Sequence, residues 1–501
     1  MPRSRPPADP DPDPGPDLDP DPDLEPAHPH GAHPDPHGSA HHEPEPRRWT
    51  ALAVICLAQF VLILDVTVVN VALPDLAVDL DLTRSALTWA VTAYTLCFGG
   101  LMLLGGRLAD AFGARRMMTV GILVFTTASL LTGLAQNAPQ LLGGRMAQGV
   151  GAALLSPAAL SLVTTMFHGA ERTRALGVWA AVGGSGSAAG VLIGGALTDG
   201  PGWRWAFYLN VPVGIAVLAV LPALVAARPA RPARLDVPGA LLVTAGTGAL
   251  IYGLVRAGDQ GWADAVTLLC LFGSLALYGL FWLVERTSRA PLMDLRMFTR
   301  RPVLAGAFLM LVATALLLSF FFLGSVYLQH VRGHGAFRTG LLFLPVAVGT
   351  AAGAHLGSRW VGRIGARPTA VGGLVVAAVG CLPLTALDAG TPVYTVVLPG
   401  LAFASLGIGA VFVTATATAL ALVEPQESGL ASGVVNTFHE VGGSVGVAVV
   451  STVAAAGIDR GTPGGFADAF TLGAVVAAVG AVVSLALVPR GKPQLSGVHV
   501  H

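Results

Sequence analysis

The sequence predicts an all-α polytopic membrane protein, and three observations lead to this fold class. Apolar residues fill 53% of the 501 positions and charged residues only 12%, about half the share of a soluble domain. After residue 46, fourteen apolar runs are each long enough to cross a hydrocarbon core of about 30 Å. Basic residues fall mostly in alternate gaps between these runs. Composition therefore disfavours an aqueous globular protein.

The predicted spans follow one another at short intervals along the chain. They are 50–73, 87–106, 117–135, 139–165, 175–198, 205–226, 238–256, 264–284, 303–328, 338–358, 368–387, 393–422, 429–454 and 467–488. All four cysteines lie within spans, and neither a CxxC pair nor a paired Cys/His spacing occurs. We therefore predict neither a disulfide framework nor a metal site.

The positions of the basic residues predict the orientation of the chain. With the N-terminus placed inside, 20 of the 27 Lys and Arg residues after residue 46 fall in inside gaps, 6 in outside gaps and 1 within a span. An excess of Lys and Arg marks the cytoplasmic side of a membrane. We expect an even number of spans, both termini in the cytoplasm, and no nucleic-acid binding.

The first 46 residues differ in composition from the rest of the chain. They hold 15 prolines and an Asp-Pro repeat, which predict a disordered cytoplasmic tail because little apolar surface can be buried. Six histidines in this segment are interpreted as solvated, with a metal-related role as the alternative: His28, His30, His33, His37, His41 and His42.

A repeated turn motif predicts two related halves. Gly106–Arg116 follows the second span, and a similar string, Gly357–Arg367, follows the tenth, 251 residues later. Repeated bundles with a site at their interface are typical of secondary transporters. The predicted domains are a tail (1–46), a six-helix bundle (47–227), two inserted helices with a basic loop (228–300), a second six-helix bundle (301–488) and a cytoplasmic tail (489–501).

The first turn motif resembles the signature loop of the major facilitator superfamily. Its residues are Gly106, Leu108, Ala109, Asp110, Gly113, Arg115 and Arg116. Glycine permits a tight turn between helices, and Asp110 can cap the next helix or pair with an arginine. The resemblance implies that Gly106, Asp110, Gly113, Arg115 and Arg116 form a latch that holds one access state. Ala111 and Ala114 replace basic residues that are usual in the family.

Three further strings are similar to the fourteen-span drug:proton antiporter branch of that superfamily. They are Leu64-Asp65-x-Thr67-Val68-Val69-Asn70-Val71-Ala72-Leu73-Pro74, Leu141-x-x-x-Arg145-x-x-Gln148-Gly149-x-Gly151, and Trp203-Arg204-Trp205-x-Phe207 with Asn210-x-Pro212. The resemblance covers about residues 49–490. It implies a major facilitator fold of two six-helix bundles plus two inserted transmembrane helices, fourteen spans in all.

A glycine stripe occupies the fifth span. Gly186, Gly190 and Gly194 recur every four residues and predict one smooth face for close helix packing. In the antiporters this region holds a glycine-proline pair that is thought to seal the pore, whereas Val191 stands here at the place of the proline. A role in gating and plain helix packing remain alternatives.

Ionisable residues inside predicted spans require an explanation, because placing a charge at mid-membrane costs at least about 2.5–3.5 kcal/mol of insertion free energy. Asp65 and Arg145 lie at matching depths from the outer ends of spans 1 and 4, so a pair is geometrically possible. Burial favours the neutral acid and a guanidinium favours the carboxylate. We predict that Asp65 binds and releases a proton, tuned by Arg145; a static ion pair is the alternative.

A second polar cluster lies near the middle of span 13. The resemblance places an amide more often at position 440, where this chain has Glu440. Glu440 is predicted as a second proton site or as a counter-charge for a cationic substrate, with a structural role as the alternative. Candidate cavity residues are Thr67, Asn70, Gln148, Asn436 and His439.

Together these features predict a monomeric, proton-coupled exporter of hydrophobic or cationic drugs in the lipid bilayer of the cell membrane. A dedicated exporter of one metabolite, such as a self-made antibiotic or siderophore, is the alternative. An enzyme or sensor is disfavoured because an HExxH motif does not occur in the sequence, and the one GxSxG string, Gly442–Gly446, lies inside a predicted span and not at the membrane surface. The string GxxxxGK[ST] does not occur either, so neither ATP nor another cofactor is expected.

Overall fold

The computed structural model describes residues 45–167, 169–226, 236–288, 291, 299–420 and 428–490. Regular secondary structure in these residues is helical throughout. Three predicted segments lie almost entirely outside the described residues: the tail before residue 46 with its histidines, the start of the inserted region (228–235), and the tail after residue 488.

Nine helices occupy the described residues before position 288. They are α1 Glu45–Asp79, α2 Arg84–Phe112, α3 Ala114–Gly133, α4 Ala138–Met166, α5 Gly169–Asp199, α6 Arg204–Tyr208, α7 Asn210–Leu224, α8 Val237–Gln260 and α9 Ala265–Thr287. Side-chain caps define several starts, because Thr83, Asn137, Asp236 and Asp264 each accept a hydrogen bond from a backbone N–H in the first turn.

Seven α-helices follow in the described residues after position 299. They are α10 Arg301–Val326, α11 Ala336–Ile364, α12 Ala366–Cys381, α13 Leu398–Leu420, α14 Ser428–Val453, α15 Ala455–Arg460 and α16 Pro463–Leu487. Short π-helical turns extend α10 (Tyr327–Val331) and precede α13 (Val393–Val397), and a 3₁₀ turn extends α12 (Leu382–Ala386).

Each predicted span coincides with one of these helices or with a continuous pair of them. Among the described residues, twelve helical segments are long and apolar enough to cross a membrane. The two other predicted spans correspond to α5 and α14, which are 31 and 26 residues long. The prediction of an all-helical, multi-pass protein is confirmed, whereas the count of fourteen spans remains a prediction.

Helix packing produces two bundles that meet along two seams. In the first bundle, α4 packs against α2 and α3, and α7 packs against α3. In the second, α13 packs against α10, α11 and α12, and α10 packs against α14. The seams join α2 to α14 and α5 to α11. Helix α8, the first of the predicted inserted pair, packs against α9, α2 and α14, and therefore lies beside the α2–α14 seam.

Matching glycine turns mark one end of the molecule. Gly113 joins α2 to α3 with a φ of 93°, and Gly365 joins α11 to α12 with the same φ. This left-handed region favours glycine because a Cβ would be strained there. We call this the Gly113 end, and the opposite end, where α1 terminates, the Asp79 end. Gly106 lies within α2, so only Gly113 of the two motif glycines makes the turn.

The neighbouring glycines Gly105 and Gly106 differ in packing. A Cβ on Gly105 would overlap the carbonyl oxygen of Ala153 in α4, whereas one on Gly106 would meet only the Pro157 Cβ, 3.8 Å away. Overpacking a tight core typically costs about 1–3 kcal/mol. We expect Gly105→Ala to lower the thermal unfolding midpoint in detergent and Gly106→Ala to leave it near the wild-type value. Equal midpoints for the two variants would contradict this packing.

Candidate ion-pair site in the first bundle

Asp65 of α1 and Arg145 of α4 form an ion pair inside the first bundle. Arg145 Nη1 donates to Asp65 Oδ2 at 2.5 Å. Asp65 is 0% exposed and Arg145 is 1% exposed. The structure thus brings together the two residues whose depths match in the sequence. Each buried charge is compensated by the other, as an apolar interior requires.

Two side-chain amides complete the surroundings of the Asp65 carboxylate. Gln148 Nε2 donates to Asp65 Oδ1 at 3.1 Å, and Asn210 Nδ2 donates to the same oxygen at 2.9 Å. Both amides also contact Ser129 Oγ, at 2.8 and 3.3 Å. Residues of α1, α3, α4 and α7 therefore meet in one buried polar network around a single carboxylate.

The Arg145 guanidinium is held from a second direction by α2. Its Nε donates to the Ala90 carbonyl oxygen at 3.0 Å, and its Nη1 also donates to Gln148 Oε1 at 3.0 Å. The guanidinium carbon lies 4.5 Å from the ring centre of Tyr94, within the range of a cation–π contact. These contacts fix the orientation of Arg145 relative to α2 as well as to α1.

Three members of this network are absent from the set of residues predicted from sequence: Asn210, Ser129 and Tyr94. For Asn210 a signal existed, because an amide inside an apolar span commonly hydrogen-bonds to a neighbouring helix. Ser129 and Tyr94 carry no comparable signal, since hydroxyl side chains often satisfy their own helix backbone.

The second predicted cluster lies on α14, in the other bundle. His439 Nδ1 lies 3.1 Å from Glu440 Oε1, and the His439 ring centre lies 5.8 Å from that of Phe412 in α13. The His439 side chain is 40% exposed although it lies in the middle of a helix, whereas that of Glu440 is 11% exposed. Glu440 instead packs against Gly99 of α2. A Cβ atom added to Gly99 would overlap the Cβ of Glu440.

The predicted cavity residues separate into two groups. Asn436 is partly buried and, like His439, retains accessible surface. Thr67, Asn70 and Gln148 are buried, and Gln148 belongs to the Asp65 network. Thr67 Oγ1 donates to the carbonyl oxygens of Ile63 and Leu64, and Asn70 Nδ2 donates to that of Val66. In this conformation Thr67 and Asn70 thus satisfy their own helix, and substrate contact remains a prediction.

The predicted latch residues lie at the Gly113 end. Asp110 is exposed on the last turn of α2, and Gly113, not Asp110, precedes α3 without a side-chain cap. In the described parts of the chain, no hydrogen bond or ion pair of the Asp110, Arg115 or Arg116 side chains is present. The neighbouring Arg107 Nη2 donates to the carbonyl oxygen of Pro291, at 2.9 Å. The expected cap is therefore not formed, and the latch role stays a prediction.

The glycine stripe of α5 lies against α1. A Cβ built on Gly186 would lie 3.1 Å from the Ile63 side chain, and one built on Gly194 would lie 2.8 Å from the Val68 Cα. A Cβ on Gly190 would overlap Thr67. The close helix packing expected from the stripe is present. Val191 is also buried, and its carbonyl oxygen lies 2.5 Å from a virtual Cβ on Gly340 of α11.

Small and hydroxyl side chains line the α2–α14 seam. Thr88 Oγ1 lies 2.5 Å from Ser451 Oγ, and Thr95 Oγ1 lies 2.5 Å from Ser444 Oγ. From the first of these contacts to the second, the residue number rises along α2 and falls by the same amount along α14. The two helices therefore run antiparallel in one register. The seam leads from the Asp79 end to Glu440.

Hydrogen bonds of the second bundle to the first are also present near the Asp79 end. Asp199, the last residue of α5, accepts hydrogen bonds from the N–H groups of Ala336 and Phe337 at 2.8 and 2.7 Å. Ser325 Oγ donates to the carbonyl oxygen of Asn70 at 2.6 Å. These bonds hold the two bundles together at that end.

A multi-pass helical protein with two bundles, an internal repeat and a buried ion pair belongs to the class of membrane transporters. The chain is a member of the Major Facilitator Superfamily, whose family model matches residues 55–447 and, a second time, residues 346–499. It is therefore a multi-pass transporter of the cell membrane and not an enzyme. The resemblance inferred from the sequence motifs is confirmed.

Comparison with individual proteins agrees with this membership. Puromycin resistance protein pur8 of Streptomyces alboniger is 43% identical, over 82% of this chain and 82% of its own length. Cephamycin export protein CmcT of Amycolatopsis lactamdurans is 36% identical, over 81% of this chain and 85% of its own. The crystal structure of an auto-inhibited POT family peptide transporter shares the fold, with a TM-score of 0.63, 18% identity, and coverage of 88% of this chain and 96% of that one.

Proposed function

We propose that this protein exports antibiotic-like organic compounds across the cell membrane in exchange for protons, by alternating access. The observation that carries the proposal is the fully buried Asp65 carboxylate, paired with Arg145 and bound by two amides. Buried ionisable residues in membrane helices commonly mark proton or substrate pathways. The names of two relatives, which refer to puromycin resistance and cephamycin export, support the class of substrate.

Proton uptake by Asp65 would change the contacts of this site directly. A neutral carboxyl group loses the charge attraction to Arg145 and becomes a donor at one of its oxygens. Arg145 would then retain the Ala90 carbonyl oxygen, Gln148 and the Tyr94 ring as partners. Protonation thereby weakens the link between α1 and α4, which can bias the bundle toward another access state. Glu440 is the proposed second acidic group, beside a partly exposed His439 and Asn436.

We further propose fourteen spans with both termini and the Gly113 end in the cytoplasm. The layout follows the predicted domains: six helices in 47–227, the inserted pair within 228–300, and six helices in 301–488. Gly106, Asp110, Gly113, Arg115 and Arg116 would act as the latch of the cytoplasmic end, and Gly186, Gly190 and Gly194 as the sliding face between α5 and α1. We take the transporter to be a monomer in the bilayer.

A dedicated exporter of one compound is the second candidate function. Its support is that the two relatives described above are each named after a single antibiotic or antibiotic class. A resistance panel in a drug-sensitive host separates the candidates: protection against one compound favours the dedicated exporter, and protection against many favours broad efflux.

The exchange mechanism is tested on purified protein in proteoliposomes. We expect addition of a transported compound to release protons, and an imposed pH gradient to drive accumulation that an uncoupler abolishes. Puromycin, a cephamycin and ethidium are suitable first probes. Transport that persists undiminished with the uncoupler, for any compound that is moved, would contradict proton coupling.

A further inference from the structure

The Tyr94 hydroxyl is a buried polar group that the proposed site does not yet use. Tyr94 is 0% exposed, and its hydroxyl has no hydrogen-bond partner among the described residues. An unsatisfied buried polar group is unfavourable, whereas a phenylalanine would provide the same ring without that penalty. The hydroxyl is therefore a group whose partner must be sought in another state of the transporter.

The ring of Tyr94 already contacts the ion-pair site. The Arg145 guanidinium carbon lies 4.5 Å from the ring centre, and Arg145 Nε is bonded to Ala90, one helical turn before Tyr94 on α2. Residues four apart lie on one face of a helix. A single face of α2 thus holds the guanidinium at two points, so a movement of the Tyr94 ring changes the position of Arg145.

The next residue on α2 contacts the second bundle. Thr95 meets Ser444, and one turn further along α2 Gly99 packs against Glu440. Ser444 Oγ also donates to the backbone carbonyl oxygen of Glu440, at 3.1 Å. Tyr94 consequently lies within one to two helical turns of the Glu440 contact in the register of this seam.

Charged groups of three helices lie close enough to influence the Tyr94 hydroxyl. Asp65 of α1, Arg145 of α4 and Glu440 of α14 all act on it electrostatically. His439, on the same helix as Glu440, contacts the Glu440 carboxylate. Both Asp65 oxygens already accept hydrogen bonds from Arg145, Gln148 or Asn210. An ionised Glu440 would therefore gain more from a further hydrogen-bond donor than Asp65 would.

We propose that Tyr94 is a positioning residue that connects the two acidic sites, an inference that rests on the proposed function. Its hydroxyl donates a hydrogen bond to the Glu440 carboxylate when Glu440 has lost its proton. Deprotonation of Glu440 in the second bundle then moves the ring and alters the support of Arg145 beside Asp65. Proton occupancy of one bundle is thereby sensed in the other.

The test is a pH titration of the infrared band of protonated carboxyl groups, on the purified full-length protein without substrate. The part of the band that is lost in Glu440→Gln belongs to Glu440. A hydrogen bond to a charged group typically changes proton affinity by about tenfold or more. Because Tyr94→Phe removes a donor to the ionised form, we expect the midpoint of the Glu440 band to rise by about one pH unit, with the thermal unfolding midpoint unchanged or higher.

The matched control is Ser405→Ala, which removes another buried hydroxyl without a described partner, on α13. It should leave the Glu440 band unchanged. The inference is overturned if the Glu440 band titrates identically in wild type and Tyr94→Phe, if it does not titrate over the accessible pH range, or if only the band lost in Asp65→Asn moves. These results leave the proton-release assay unaffected, so failure of this inference and failure of the proposed function are distinguishable.

Discussion

Replacing Asp65 with asparagine is expected to abolish proton-driven accumulation while the fold is retained. Asparagine cannot bind and release a proton, but it keeps the size of aspartate and one acceptor oxygen. The Asn210 Oδ1 atom is buried without a described partner, so rotation of that amide by half a turn can offer an acceptor to the new side-chain N–H group. We therefore expect the protein still to fold, although with a lower thermal unfolding midpoint, because Arg145 loses its counter-charge.

The measurement compares two modes of transport in proteoliposomes. Accumulation driven by a pH gradient should fall to the level of vesicles without protein, whereas exchange of labelled for unlabelled substrate at equal pH should continue. Loss of both modes would indicate a damaged binding site or fold, and intact gradient-driven accumulation would exclude Asp65 as the proton site.

Asp79→Asn is the matched control, since Asp79 is also an acid of α1 with an arginine partner. It accepts from Arg204 Nη1 at 2.6 Å and from Trp203 Nε1 at 3.0 Å, but its side chain is 46% exposed at the end of the helix. Water can replace a lost hydrogen bond there. Gradient-driven accumulation should remain near the wild-type rate, and an equal loss in both variants would contradict a special role for the buried acid.

The helices could be predicted from sequence because of the solvent that surrounds them. In a hydrocarbon layer, backbone N–H and C=O groups must be satisfied within the segment itself, so a long apolar run becomes a helix. The run 303–328, for example, appears as α10 with its π-helical extension. Local composition thus decides the elements, and residues distant in sequence contribute little to that choice.

The site was only half predictable, because rotation of a helix about its axis depends on distant neighbours. Asp65 and Arg145 stand out as single charges at matching depths. Asn210 reaches the same carboxylate from 145 residues away, and no spacing in the sequence relates the two. The sequence shows that α7 contains a polar residue but not which neighbour that residue faces.

The position of the additional helix α8 could not be predicted for the same reason. Its contacts are made by small groups far apart in sequence: Thr244 lies against Gly100 of α2, and Thr452 Oγ1 of α14 donates to the carbonyl oxygen of Leu254 at 2.7 Å. Arg84 at the start of α2 pairs with Asp259 at the end of α8. These contacts place α8 beside a seam between bundles, whereas the sequence indicated only that a helix pair was inserted.

The second large effect is expected for stability, when Arg145 is replaced with methionine. The variant leaves the Asp65 carboxylate without its counter-charge at a position with 0% exposure. Removing one partner of a buried ion pair typically costs about 3–5 kcal/mol, because the remaining charge is buried and uncompensated. We expect a correspondingly large drop in the thermal unfolding midpoint in detergent, together with loss of transport.

The double variant Asp65→Asn, Arg145→Met separates the charge from the packing. With both charges removed, the unfavourable burial disappears, so most of the lost stability should return although gradient-driven transport does not. Coupling of this kind between contacting residues is what a double-mutant cycle measures. Arg204→Met is the control: its pair with Asp79 is exposed, at 39% and 46%, and such pairs contribute about 1 kcal/mol or less. A double variant no more stable than Arg145→Met would show that Arg145 supports the fold through Ala90 and Tyr94, and not through the charge of Asp65.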